Sequence, residues 1–370
     1  MIRNVRVENY KSIVDLSMDL GRVTVLIGAN GSGKSNILEA IALASATAQN
    51  KLDNEFLISR GVRVCETRFM RSAFGEPSAT PEIKLSVQGD EGVSYRCSMA
   101  TDENSSFPKW SAKTNLGIGE FFKFLEESNW PGKGFFDQEK WDEYELKKSG
   151  RLARFLIYAP ENSALRTFQT EGQILPLGIR GEGLFAHLKA LNSETHKDRL
   201  AQIKERLTLI DWFESFGIPE DLSPGERSIR IRDRFLSVGS LFDQRSANEG
   251  FLFLLFYFTL FISPETPAFF SIDNVDTSLN PKLCGVLLRQ LTELAKEHDK
   301  QVVITTHNPA ILDGLDLNDD EQRLFVVERT KAGHTRVRRV EPPKQKNGQP
   351  PVNLSEAFMR GYIGGLPKNF

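Results

Sequence analysis

The chain has 370 residues, 40% hydrophobic and 26% charged, with a net charge of −2. That suffices for one large domain or two modest ones with a real core, and it excludes a global polycation, so any nucleic-acid surface must be a local patch. Three scattered cysteines, Cys65, Cys97 and Cys284, lack metal-ligand spacing and fit a reduced, cytoplasmic chain. Ile2 to Glu8 alternates apolar and polar residues, as an exposed strand does. Arg22 to Ile27 is a more continuous apolar strand that runs into a glycine-rich loop. Behind the loop, Ile37, Leu38, Ile41, Ala42 and Ala44 keep a helical apolar face.

From Lys51 to Gly150, short strand-like pieces (Val62 to Phe69, Glu82 to Val87, Val93 to Met99) alternate with polar loops, and a Phe/Trp-rich segment runs from Phe107 to Trp141. This stretch is expected to form an insertion or second lobe; its aromatic run, Trp110 to Trp141, could be a partner surface, although such residues more often form the core of a small lobe. Phe155 to Pro160 predicts a strand returning to the main sheet. Leu184 to Phe216 is helical by periodicity, but too interrupted for a long coiled coil. Phe251 to Ile262, at about 12 residues, is too short to span a bilayer, which needs about 20, and predicts a buried helix. The N-terminus has no signal-peptide pattern, so no membrane association is expected. Ala268 to Asp273 and Gln301 to Thr306 are buried strands joined by a helix from Pro281 to His298, the order of a parallel sheet with crossovers. Arg323 to Val340 predicts a hairpin turning at Ala332-Gly333. Pro342 to Pro351 is a short polar linker, and the apolar tail Leu354 to Pro367 docks on a partner or on its own core.

The loop Gly28-Ala29-Asn30-Gly31-Ser32-Gly33-Lys34-Ser35 satisfies GxxxxGK[ST] between a strand and a helix, the context that this phosphate-binding motif requires. Glycines turn backbone N–H groups toward phosphate oxygens, and the helix start adds its positive dipole end. Lys34 would reach the β and γ phosphates of ATP, and Ser35 would hold Mg²⁺. Asn36, next along the helix start, is a further nucleotide-binding candidate beside Gly28, Asn30, Gly31, Ser32 and Gly33. Asp273 ends an apolar strand, where a Walker B aspartate holds Mg²⁺.

The run Asp273-Asn274-Val275-Asp276-Thr277-Ser278-Leu279-Asn280-Pro281 resembles the joined Walker B and D-loop of ABC-type ATPases, specifically the RecF/SMC/OLD branch. Ile304-Thr305-Thr306-His307-Asn308 resembles that superfamily's switch-histidine loop. Asn9-Tyr10-Lys11-Ser12 and Leu175 to Leu184 resemble the same branch. The resemblance covers roughly residues 1–50 and 155–330. It implies an α/β fold with a mixed, largely parallel sheet. The ATPase domain is expected over 1–60 and 151–341, the inserted lobe over 61–150 and a tail over 342–370.

The family also requires a signature motif that opens a helix and caps the γ-phosphate held by a second subunit. Leu222-Ser223-Pro224-Gly225-Glu226 matches by letter, but the strict alternation after it predicts a strand. Ser246-Ala247-Asn248-Glu249-Gly250 leads directly into the apolar helix, so context assigns the signature to Ser246, Asn248, Glu249 and Gly250. The family's usual glutamate after the Walker B aspartate is replaced by Asn274. An amide positions water but takes no proton. Hydrolysis is therefore slow, or Asp276 substitutes, or positioning alone suffices; slow hydrolysis is favoured. His307 would sense the γ-phosphate.

Arg230, Arg232 and Arg234, and the cluster Arg336, Arg338, Arg339, Lys344 and Lys346, could meet a nucleic-acid backbone, although ion pairing within the chain is the simpler expectation. The resemblance implies a head-to-head homodimer closed by ATP and Mg²⁺, or a higher oligomer built of such dimers. It also implies a task in bacterial antiphage defence beside a separately encoded nuclease effector, because the chain shows no HNH pattern and no acidic Toprim cluster of its own. The alternative is a RecF-like ATPase that binds DNA in repair or replication.

Overall fold

The computed structural model describes residues 1–74, 82–90, 93–101, 110–115, 149–168, 174, 176–193, 196–223, 226–237, 239–342 and 353–366. The chain begins with an antiparallel pair, β1 (Ile2–Tyr10) and β2 (Ile13–Asp19). The apolar strand β3 (Val23–Ile27), the glycine loop and helix α1 (Lys34–Ala48) follow. After two short helices, α2 (Asn54–Ser59) and α3 (Thr67–Met70), come β4 (Ile83–Gly89), β5 (Ser94–Thr101) and β6 (Trp110–Thr114). These three strands extend the first pair into an antiparallel sheet ordered β2-β1-β4-β5-β6. Strands β4 to β6 are thus joined edge to edge with the N-terminal strands. The Phe/Trp-rich stretch after residue 115 lies outside the described residues, as does most of the linker after residue 342.

The second sheet is built from β7 (Ile157–Tyr158), β10 (Phe269–Ile272), β11 (Gln301–Thr306), β12 (Gln322–Arg329) and β13 (Thr335–Val340) around β3. Its order is β13-β12-β3-β11-β10-β7. All neighbours are parallel except the terminal β12–β13 hairpin. The sheet is mixed and largely parallel, as expected, and the ends of β3, β10 and β11 lie side by side.

On one face lie α4 (Asn162–Thr167), α5 (Leu184–Leu191), α6 (Lys197–Leu207), α7 (Glu249–Ile262) and α8 (Pro281–Glu297). On the other face α1 fills the space between the two sheets, packing with Leu26, Val303 and Val327 on one side and Val5, Val7, Leu85 and Tyr95 on the other. That sandwich explains why α1 is buried around most of its circumference and why Ala40, Ala42, Ala44 and Ala46 occupy it: small side chains let two sheets approach one helix. Helix α7 is buried at every position from Phe251 to Ile262, as its all-apolar sequence requires.

Two sequence expectations are corrected and one open alternative is decided. Val62 to Phe69 is no strand; the chain is irregular until α3 and runs beside Asn9 to Lys11, with Lys11 N–H donating to the Met70 carbonyl. The segment 184–216 is not helical throughout. It ends in strand β8 (Phe213–Gly217), which pairs with β9 (Arg230–Asp233). A register shift between Phe213 and Ser215 buries both Phe213 and Phe216, giving a strand a helix-like spacing. Helix α9 (Leu354–Met359) docks on its own chain: Phe358 joins the core, the helix packs on the turn Pro309–Gly314, and Ser355 Oγ donates to Asp313.

Of the basic clusters, Arg230 pairs with Asp221 and Arg232 with Glu214, while Arg234 donates to the Phe213 carbonyl. Arg338 donates to the Ile363 carbonyl and Arg339 faces Glu341. Lys344 and Lys346 lie outside the described residues. Among the described residues no helix is long and apolar enough to cross a membrane.

Candidate nucleotide site

Strand β3 delivers Gly28 against β12, where an added Cβ would lie 2.1 Å from the Val327 carbonyl oxygen. The loop turns back into α1 through Gly33 at φ +108°, with a hypothetical Cβ 2.1 Å from Thr335 Oγ1. Only glycine meets both demands at Gly33. A relay of hydrogen bonds holds the loop from outside: Asn36 Nδ2 donates to Ser12 Oγ (2.7 Å), Ser12 Oγ meets Thr335 Oγ1 (2.6 Å), and Thr335 Oγ1 donates to the Ser32 carbonyl (3.0 Å). The Asn9–Ser12 element therefore supports the loop physically.

Lys34 opens α1 and is almost fully buried. Its ammonium donates to the carbonyls of Gly28 (2.8 Å) and Ala29 (3.1 Å) and lies 3.4 Å from His307 Nδ1. Burial pushes its pKa down to about 8, against the opposing pull of Asp273 and Asp276. His307 is also shifted down, by burial and then by the Lys34 charge, which favours a neutral ring able to accept a hydrogen bond.

Ser35 Oγ donates to Asp273 (3.0 Å), which also accepts from Thr305 Oγ1. Asn274 sits at φ +55°, a left-handed conformation that asparagine tolerates, and its N–H donates to Thr305 Oγ1 (2.9 Å). Asp276 accepts from Thr306 Oγ1 (2.6 Å) and more distantly from His307 N–H (3.4 Å). The ends of β10 and β11 are thereby stitched together beneath the loop.

A recess of about 240 Å³ is lined by Gly31, Ser32, Gly33, Lys34, Ser35, Asn36, Asn274 and His307, together with Arg63 and Arg329. The two arginines escaped the sequence reading. Arg63 lies in the stretch assigned to the inserted lobe. Arg329 ends β12 and donates to the Gly31 carbonyl (2.8 Å). No local motif marks either one; only the fold brings them to the loop.

The assigned signature does not line this recess. Asn248 caps α7, its side chain accepting from Phe251 N–H (2.8 Å). Ser246, Asn248 and Glu249 are exposed while Ala247 anchors the turn. Glu249 accepts from Ser278 Oγ (2.7 Å) and Asn162 Nδ2 (2.5 Å), and Gly250 packs by the Ser278 carbonyl. Tyr257, one helical face further on, donates to the Val275 carbonyl. Helix α7 and the segment after Asp273 are one connected unit.

The residues fit a nucleoside triphosphate with Mg²⁺. The Ser32 hydroxyl is buried without a hydrogen-bond partner among the described residues, as a group awaiting an oxygen would be. Ser35 and Asp273 offer one hydroxyl and one carboxylate, the set that Mg²⁺ takes together with phosphate oxygens and water. Among the described residues no group of three His, Cys, Asp or Glu side chains could hold a metal alone.

A strand–glycine loop–helix with its lysine, a strand-end aspartate beside the loop serine and a histidine on the neighbouring strand end define a P-loop ATPase of the SMC/OLD-like ABC type. The chain belongs to the family described as AAA domain, putative AbiEii toxin, Type IV TA system, whose profile matches residues 23–313. It is similar to an OLD nuclease of Thermus scotoductus, 23% identical over 126 residues, 32% of this chain. The match spans only 24% of that relative's length. In fold it is similar to an SMC head bound to the C-winged helix domain of ScpA, with a TM-score of 0.57 at 14% identity, covering 92% of this chain and 98% of that one. An SMC head with an extended coiled coil, bound to the C-terminal domain of ScpA derived from Pyrococcus furiosus, gives a TM-score of 0.50 at 14% identity, covering 92% and 96%.

Proposed function

We propose that this chain is an ATP-operated switch. It binds MgATP, hydrolyses it slowly, pairs head to head with a second copy while ATP is held, and controls a separately encoded nuclease effector in antiphage defence. The observation that carries the reading is the division of the site over two surfaces. Lys34, Ser35, Asn274 and His307 line one recess, with Asp273 hydrogen-bonded to Ser35 at its edge, whereas Ser246, Asn248 and Glu249 stand exposed at a capped helix start that does not line it. A helix start favours anionic oxygen, so the α7 start suits the terminal phosphate of a nucleotide held by a facing copy. ATP then stabilises the dimer because each molecule of ligand contacts both protomers. In the closed site Lys34 would neutralise phosphate charge, Ser35 and Asp273 would hold Mg²⁺, which supplies further positive charge to the phosphates, and Asn274 would orient water without taking its proton.

The effector part is supported by likeness to a relative named a nuclease, in a chain without an HNH pattern or an acidic Toprim cluster. Light scattering of the purified protein tests the pairing: MgATP is expected to double the 41.7 kDa mass. Saturating MgATP bound to a species that stays monomeric would overturn it. Cleavage of DNA or RNA by the purified chain with Mg²⁺ would overturn the separate effector.

A further inference from the structure

Glu39 sits on the inward face of α1, one turn beyond Ser35, and is 1% exposed. Burying a carboxylate so completely is costly unless it is paired, and this one is paired twice. One oxygen accepts from Lys11 Nζ (2.5 Å) and Tyr10 OH (3.2 Å); the other accepts from Arg63 Nε (2.5 Å) and Arg63 N–H (3.2 Å). Lys11 Nζ also donates to the Arg63 carbonyl (2.9 Å), and Arg63 Nη2 donates to Asn36 Oδ1 (3.3 Å). Arg63 itself is 67% exposed along its side chain and lines the recess beside the glycine loop. A long exposed side chain holds one geometry only if something fixes it. Glu39 fixes this one at its base and leaves the planar fork at the recess.

We propose that Glu39 is a positioning residue for the nucleotide: its buried carboxylate, which does not meet the ligand, holds the Arg63 guanidinium where it contacts the phosphate chain. This rests on the nucleotide reading above. The opposite role has the opposite sign. If Glu39 merely damped the charge of Lys11 and Arg63, removing its charge would leave a more positive helix start and tighter phosphate binding. If it positions Arg63, removing it weakens binding although the local charge becomes more favourable.

The test is calorimetric titration of the full chain with MgATP. Glu39→Gln and Arg63→Ala are each expected to weaken binding about tenfold, and the double variant to bind no worse than Arg63→Ala alone, because one acts through the other. Glu39→Asp, which keeps the charge, should return binding to within about threefold of the parent. Tighter binding by Glu39→Gln, or losses that multiply in the double variant, would overturn the proposal. If Glu39→Gln fails to fold, the exposed Arg63 still decides: Arg63→Ala and Arg63→Lys should both bind weakly, and binding of either at parental strength overturns it. Lys34→Ala separates the two readings. A parent that binds no MgATP sinks the nucleotide reading itself. A parent that binds, with Lys34→Ala inert and Arg63→Ala unaffected, sinks only the role of Glu39.

Discussion

Lys34 carries the electrostatic signature of the site. With its pKa near 8, the free protein holds a largely neutral amine at about pH 9, where an ordinary lysine is still charged. The phosphate chain favours the ammonium, so binding at that pH should draw in close to one proton, and much less near neutrality. Titrations with MgATP in buffers of different ionisation enthalpy would read this uptake; its absence at about pH 9 would mean that Lys34 is already charged in the free protein or does not meet phosphate. For stability the sign is the reverse of a favourable pairing. The folded pKa is depressed, so the unfolded chain binds more protons between about pH 8 and the ordinary lysine value, and this group's burden on the fold eases as pH rises through that window. Asn274 makes a second prediction. Asn274→Glu supplies a base where general-base catalysis is worth roughly 10²–10⁴-fold. Steady-state turnover should rise at least about tenfold, although a glutamate at φ +55° costs about 1–2 kcal/mol of stability. Unchanged turnover would shift the base role to Asp276.

Among the elements, the start of α7 is decisive. Asn248→Ala removes a side-chain cap worth about 1 kcal/mol and should lower the melting temperature by roughly 1–2 °C. On the reading above it also removes MgATP-dependent pairing while leaving nucleotide binding by the single chain intact, as light scattering and calorimetry together would show. Loss of binding by the single chain would place Asn248 in its own protomer's site instead. The elements also show what a sequence can reveal. The strand–loop–helix of β3 and α1, the strands ending in Asp273 and Thr306, and the α7 start were legible because each motif is contiguous and flanked by a clear period. Strand β2 was missed because its buried positions, Ile13, Leu16 and Met18, do not keep a strict alternation. Strand β8 was masked by its register shift, and the stretch 62–69 has β-like letters but settles alongside the Asn9–Lys11 turn rather than in a sheet.

Across the whole molecule, the parts of the site that stayed hidden are those joined over long separations. Arg63 reaches the loop through Glu39 and Asn36, Arg329 through the end of β12, and Ser12 and Thr335 through a contact between residues 323 positions apart. None has a neighbour in sequence that hints at its partner, whereas Lys34 and Ser35 declare themselves. The location of the two sheets about α1 was equally unreadable, since a helix enclosed on both sides loses the one-sided stripe that marks a surface helix.

The Ser12–Thr335 clasp sets an order of events during synthesis. The loop that is to grip triphosphate leaves the ribosome early, but the strand beside β3 and the threonine that braces Ser32 come about 300 residues later. At roughly 5–20 residues per second that interval is on the order of 15–60 s. Through it the nascent chain carries the recognisable motif without the brace that holds the Ser32 carbonyl in the folded protein.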